Sequence, residues 1–290
     1  MSFFVELPVN AYPCELSGIK TGEFNAATAH ASMWVSQLAY EAHRPDTLHE
    51  IKTRWNLTAL LAFIRANNLY EARGLIAEHT DAVFVAFSGT DPAILRDLVA
   101  ICQFWRQPRL DVHYGFYGTY QSAVDYVAAE LADFAVRGKP LIFTGHSLGA
   151  AIAALMAEKC RDLGLRVDAV YLFGMPRVGG ARFRERYESK LGKDTYRLVH
   201  SRDLIPHLPP GWAGYSHVGK AQQFQRAVMG DPGLAKSSST IPDFLPNKLK
   251  LIYSLSPKPL RDHFPASYCD ALDAPDWRPF VVGGNSGPIS

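Results

Sequence analysis

The feature that most constrains this chain is Gly145-His-Ser-Leu-Gly149, set between an apolar run, Pro140-Leu-Ile-Phe-Thr144, and an alanine-rich stretch from Ala150 to Cys160. A short apolar run bounded by turn residues reads as a strand buried on both faces. The small residues that follow let a helix lie close against the sheet. The turn between the two is sharp enough to need residues without side chains on either flank, and Gly145 and Gly149 meet that need. Such a turn lifts the Ser147 hydroxyl clear of the backbone. It also aims a helix N-terminus at it, where free N–H groups favour negative charge. Ser147 is therefore the candidate nucleophile. A hydroxyl is a poor nucleophile at neutral pH, so a base and a carboxylate to orient that base must be sought elsewhere.

The same alternation runs along the chain. Helical spacing of apolar residues is expected over 26–43, from Trp55 to Ile64, and over 116–134. Buried strands are expected over 81–87, 140–144, 167–173 and 194–200, with a final helical segment around Ser267 to Leu272. Strands alternating with helices predict an α/β fold, a mostly parallel central sheet flanked by helices. We read residues 1–290 as one domain, with a long surface loop at about 230–260 where Pro, Gly and Ser accumulate.

A net charge of +2 is too small to make nucleic acid the main partner, and no run of about 18 apolar residues suggests a membrane span. The segment Met1–Pro8 lacks a basic region, so the expectation is a chain without a signal peptide. That makes it cytoplasmic by default, with export by a non-classical route left open. Cys14, Cys102, Cys160 and Cys269 form no CxxC pair, which disfavours a zinc site. Their default reading is reduced thiols, against a Cys14–Cys269 disulfide.

On this kind of sheet the chain order is Ser, then Asp or Glu, then His. Asp203, at the end of an expected strand and the start of a proline-terminated turn, is the favoured acid. Asp168 begins a strand and should lie at the opposite edge. With Asp203 as acid, His207, His217 and His263 remain as bases. His207 is too near and sits in a rigid proline run. His263, late in the chain and after the long loop, is preferred, with His217 as its competitor. One oxyanion N–H should come from Leu148, after the nucleophile. A second should come from the Ser88-Gly89-Thr90 turn, where Thr90 offers both an N–H and a hydroxyl.

Together these residues resemble the fungal-type class 3 lipases. The likeness runs through Phe87–Thr90, Val112–Phe116, Gly145–Ala150, Phe173–Val178, Asp203–Pro210, Tyr215–Gly219 and Asp262-His263, in the family's order. It implies an α/β-hydrolase fold with a triad of Ser147, Asp203 and His263 and an oxyanion hole at Thr90 and Leu148. It also implies that no metal or organic cofactor is needed. The family usually has arginine where this chain has Ser88, and the surroundings of His263 depart from its pattern.

Between Thr90 and Val112, Ile94, Leu98, Ile101 and Trp105 fall at helical spacing. An amphipathic helix there, over about 91–109, would resemble the family's lid, covering an apolar acyl groove when closed and meeting a lipid–water interface when open. A core helix that never moves is the alternative. The basic cluster Arg177, Arg182, Arg184 and Arg186 reads most simply as a solvated helix face.

The expected activity is serine ester hydrolysis, foremost on triacylglycerol, with a lipid or ester as substrate partner. The alternatives are a phospholipase A1 or a feruloyl-type esterase on the same scaffold, and more remotely a non-catalytic lipase-like binding domain. Acyl preference and oligomeric state are not legible in the sequence.

Overall fold

The computed structural model describes residues 6–90, 105–135, 138–224 and 256–273, with Leu245 and Lys250 besides. A seven-stranded sheet runs in the order β1 (Ala59–Ala66), β2 (Glu71–Glu78), β3 (Val83–Phe87), β6 (Leu141–His146), β7 (Ala169–Phe173), β8 (Thr195–His200), β9 (Lys220–Phe224). From β3 to β9 every pairing is parallel, while β1 and β2 add an antiparallel edge. Two short strands, β4 (Arg106–Gln107) and β5 (Val112–His113), make a separate antiparallel ribbon.

Alternation along the central strands splits the core in two. Phe84, Ala86, Ile142, Tyr171, Phe173 and Leu198 face one side. There they meet α1 (Ala26–Leu38) and the last described helix, α7 (Pro265–Asp273). Val83, Val85, Phe87, Phe143, Val170 and Leu172 face the other. That side is covered by α3 (Tyr114–Ala135), α4 (Leu148–Asp162) and α5 (Ala181–Leu191). Burial on both faces is why these strands read as continuous apolar runs rather than alternating ones.

The helix expected from Trp55 to Ile64 is not there. Helix α2 spans Pro45–Arg54, and Ala59–Ala66 is an edge strand. Leucine and alanine favour a helix locally, but the pairing of Ala59–Ala66 with Glu71–Glu78 overrides that preference. Asn67 closes the hairpin, its Oδ1 accepting from the N–H groups of Leu69 and Tyr70 at 3.0 and 2.9 Å. Strands β2 and β9 were not expected at all; their mixed Glu, Arg, Gln and Lys content hides them.

Ile94, Leu98 and Ile101, with most of the lid expected over 91–109, lie outside the described residues, as does nearly all of the loop expected at 230–260. A helix does not extend to 109, because Arg106–Gln107 is already paired with Val112–His113. The basic cluster is also not simply solvated. Arg177 is off the helix and donates to the carbonyls of His207 and Pro209. Arg182 donates to the Pro108 carbonyl, and Arg186 pairs with buried Glu158 at 2.7 Å. Cys14 and Cys269 are both free, the first exposed and the second buried.

Candidate active site

Because β3, β6, β7 and β8 are parallel, their C-terminal ends share one edge, and the candidate residues gather there. Ser147 follows β6 directly, with φ 58° and ψ −125°, a conformation costly for a residue with a side chain. It is held by its N–H donating to the Phe173 carbonyl at 2.9 Å, while α4 starts at the next residue. The flanking glycines do what the sequence requires of them. A Cβ on Gly145 would overlap the Gly149 backbone, and one on Gly149 would overlap the Phe87 carbonyl. Gly149→Ala is therefore expected to cost about 1–3 kcal/mol by pushing α4 off β3. A lower midpoint in thermal denaturation checks this, and an unchanged midpoint would show that the elbow has slack.

Asp203 lies just beyond β8, 1% exposed. One oxygen accepts from the Ile205 N–H at 2.9 Å. The other accepts from His263 Nδ1–H at 2.8 Å and from the Tyr268 hydroxyl at 2.6 Å. On the far side of the ring, His263 Nε2 lies 2.8 Å from Ser147 Oγ. With Nδ1 protonated and donating to a carboxylate, Nε2 carries the lone pair and accepts the serine proton. The structure thus brings Ser147, His263 and Asp203 into one buried hydrogen-bonded chain.

The competitors lie elsewhere. Asp168 accepts from the Leu141 N–H at 2.9 Å, at the opposite end of β6. His217 donates from Nε2 to the Pro206 carbonyl at 2.7 Å, and His207 is exposed. The loop bearing His263 is pinned to β8: His200 Nδ1–H donates to the Asp262 carbonyl, and the Asp262 carboxylate accepts from the Arg202 N–H, both at 3.1 Å.

The turn after β3 adjoins Ser147, since a Cβ on Gly89 would stand 3.0 Å from the serine Cβ. Thr90 Oγ1 is buried there with no hydrogen-bond partner. Leu148 is half-buried at the first position of α4. Ser88, where arginine was expected on resemblance, is buried and tied to β2 through its N–H and the Arg73 carbonyl at 3.0 Å. Of the lid positions only Trp105 is described, and it is 70% exposed. Among the described residues no group of His, Cys, Asp or Glu is arranged to hold a metal ion.

Two contributors escaped the sequence reading. Tyr268 braces Asp203, and burial, then the carboxylate beside it, pushes its pKa well above the ordinary tyrosine value, so it stays a donor. A tyrosine amid the apolar residues of the last helix was the available sign, since a buried hydroxyl needs a partner. His146, discounted because it precedes the serine, stacks against His263 with ring centroids 4.7 Å apart.

The class 3 lipase family matches residues 84–212, which carry the Gly89-Thr90 turn, the elbow and Asp203. Over that stretch the chain is similar to the fungal-type class 3 lipases. It is 31% identical over 207 residues to a secreted mono- and diacylglycerol lipase of Malassezia restricta, covering 63% of this chain and 66% of the relative. It is 28% identical over 167 residues to one from Malassezia globosa, covering 52% of each. The chain thus spans about half to two thirds of the length of these curated relatives. The lipase of Rhizopus microsporus var. chinensis has the same fold, with a TM-score of 0.58 at 25% identity over 75% of this chain and 81% of that one.

Both Malassezia lipases are named as secreted proteins, which overturns the expectation of a cytoplasmic chain. That expectation rested on the composition of a few N-terminal residues, which says little about the route a protein takes. No helix among the described residues is long and apolar enough to cross a membrane.

Proposed function

We propose that the chain hydrolyses carboxylic esters of lipids through an acyl-enzyme on Ser147. The observation that carries this reading is the unbroken path from Ser147 Oγ through His263 to Asp203, with both contacts at 2.8 Å. As the Ser147 oxygen attacks the ester carbonyl, His263 Nε2 takes its proton, and Asp203 stabilises the imidazolium while keeping the ring in place. The Leu148 and Thr90 N–H groups, with the unengaged Thr90 hydroxyl, meet the charge forming on the carbonyl oxygen. His263 then protonates the departing alcohol. Water attacks the acyl-enzyme with the same histidine as base, and the fatty acid leaves.

An acylglycerol at a lipid–water interface is the substrate we favour, in keeping with the relatives' names. Support comes from two exposed aromatic rings, Trp105 at 70% and Trp212 at 83%. The segments bearing them are stitched together, as the Arg106 guanidinium donates to the Ala213 and Gly214 carbonyls at 3.1 and 2.7 Å. Exposed aromatic rings on adjoining segments suit insertion among acyl chains.

The test is hydrolysis of p-nitrophenyl esters from short to long chains alongside mono-, di- and triacylglycerol emulsions. Activity that extends to long chains and emulsions supports a lipase; activity confined to short or aromatic esters would demote the chain to a small-substrate esterase. The double variant Trp105→Ser, Trp212→Ser is expected to lose about tenfold or more on emulsions, from the apolar burial forfeited. Its activity on a dissolved short ester should stay within about twofold, because neither ring belongs to the triad. Equal losses on both substrates would remove the interfacial role.

A further inference from the structure

His146 is 1% exposed and belongs to none of the roles assigned so far. Its Nε2–H donates to the main-chain carbonyl of His263 at 2.8 Å. A carbonyl only accepts, so this bond fixes the tautomer and leaves the lone pair on Nδ1. That lone pair faces the Tyr40 hydroxyl at 2.9 Å, which donates to it. Burial, then the neighbouring His263, holds the His146 imidazole well below its ordinary pKa, so the ring is neutral. Tyr40 sits just past the end of α1, and its hydroxyl reaches the oxyanion turn, where a Cβ on Gly89 would overlap it.

His263 has need of such support. It lies on neither a strand nor a helix but between α6 (Lys258–Arg261) and α7. Asp203 fixes one edge of its ring, and His200 fixes the preceding carbonyl. Its own carbonyl is left to His146.

We propose that His146, locked in one tautomer by Tyr40, is a positioning residue that sets the placement of His263 against Ser147 and ties it to the oxyanion turn. This rests on the triad reading given above. The neutral His146 ring also lies against the face of the imidazole that becomes charged during attack, which a protonated neighbour would oppose. A displacement of about 1 Å at a reacting group can cost about a hundredfold in rate. The effect should fall on kcat, because His146 is aimed at the base and not at the substrate.

The experiment compares His146→Leu, His146→Gln and Tyr40→Phe on one dissolved ester, with Ser147→Ala alongside. His146→Leu should lower kcat about 30-fold with KM within about twofold, the size carried by one lost buried hydrogen bond and a displaced base. His146→Gln, whose amide can still donate to the His263 carbonyl, should recover kcat to within about threefold of wild type. Tyr40→Phe should cost about five- to tenfold in kcat alone, and little more when added to His146→Leu, because both act along one path.

A purely structural role predicts something else: thermal midpoint, kcat and KM worsening together, glutamine no better than leucine, and additive losses in the double variant. Any of these overturns the proposal, as does unchanged kcat in His146→Leu. If His146→Leu does not fold, Tyr40→Phe carries the test through the same split of kcat from KM. Activity surviving in Ser147→Ala would remove the triad reading and this proposal with it. Loss in Ser147→Ala beside full activity in His146→Leu would remove the positioning role alone.

Discussion

Ser147→Ala is expected to lower kcat on every ester by about four to six orders of magnitude while the protein stays folded. The size follows from what one oxygen does at this site. In the proposed reaction it is the atom that becomes acylated, and the hydroxyl on His263 Nε2 at 2.8 Å is the only proton source that the imidazole addresses on that side among the described residues. Alanine leaves the elbow intact, because Gly145, Gly149 and the amide bond to the Phe173 carbonyl hold the turn without the side chain. The residual rate, set by the oxyanion donors and by binding, should still exceed that of water. Measured turnover with purified protein, together with failure of a fluorophosphonate to label the variant, checks it. Retention of more than about one per cent of wild-type kcat would mean that the chemistry lies elsewhere.

Asp203→Asn is expected to cost about four orders of magnitude in kcat with little change in KM. The amide keeps the volume, and its oxygen can still accept from the Ile205 N–H that now bonds to the carboxylate at 2.9 Å. What changes is the face towards His263. An amide NH₂ there donates to Nδ1, which flips the imidazole to the tautomer protonated at Nε2, so the ring presents a donor to the serine. The Tyr268 hydroxyl, 2.6 Å from the same carboxylate oxygen, reinforces the native arrangement and loses its acceptor in the variant. Initial rates over a range of ester concentrations separate the two constants. A rise in KM matching the fall in kcat would instead point to a disordered pocket.

Legibility in the sequence followed locality. The elbow could be read because its glycines are required by contacts made within a few residues, Gly145 against Gly149. The buried parallel strands could be read because burial on both faces leaves little room for polar residues. Asp203 and His263 came from chain order and position, and the fold brings both to the serine. What failed was decided at long range. The segment from Ala59 to Ala66 has helix-favouring residues and becomes a strand only because β2 pairs with it. Tyr268 and His146 act through bonds to residues 65 and 117 positions away, and their immediate neighbours do not say which residues those bonds reach. The cytoplasmic expectation failed for another reason: cellular destination is an address and not a property of the core.

The proposed base of the site also arrives late. His263 lies 116 residues beyond the serine it serves, on a segment whose grip on the body is made by contacts such as Asp273 with His30 and Trp34 at 2.7 and 2.9 Å. The sheet, the elbow and Asp203 can all be in place while the serine still lacks anything to take its proton. During refolding, recovered secondary structure should therefore precede recovered turnover. A molecule caught before that last docking would be shaped like the finished protein and chemically silent.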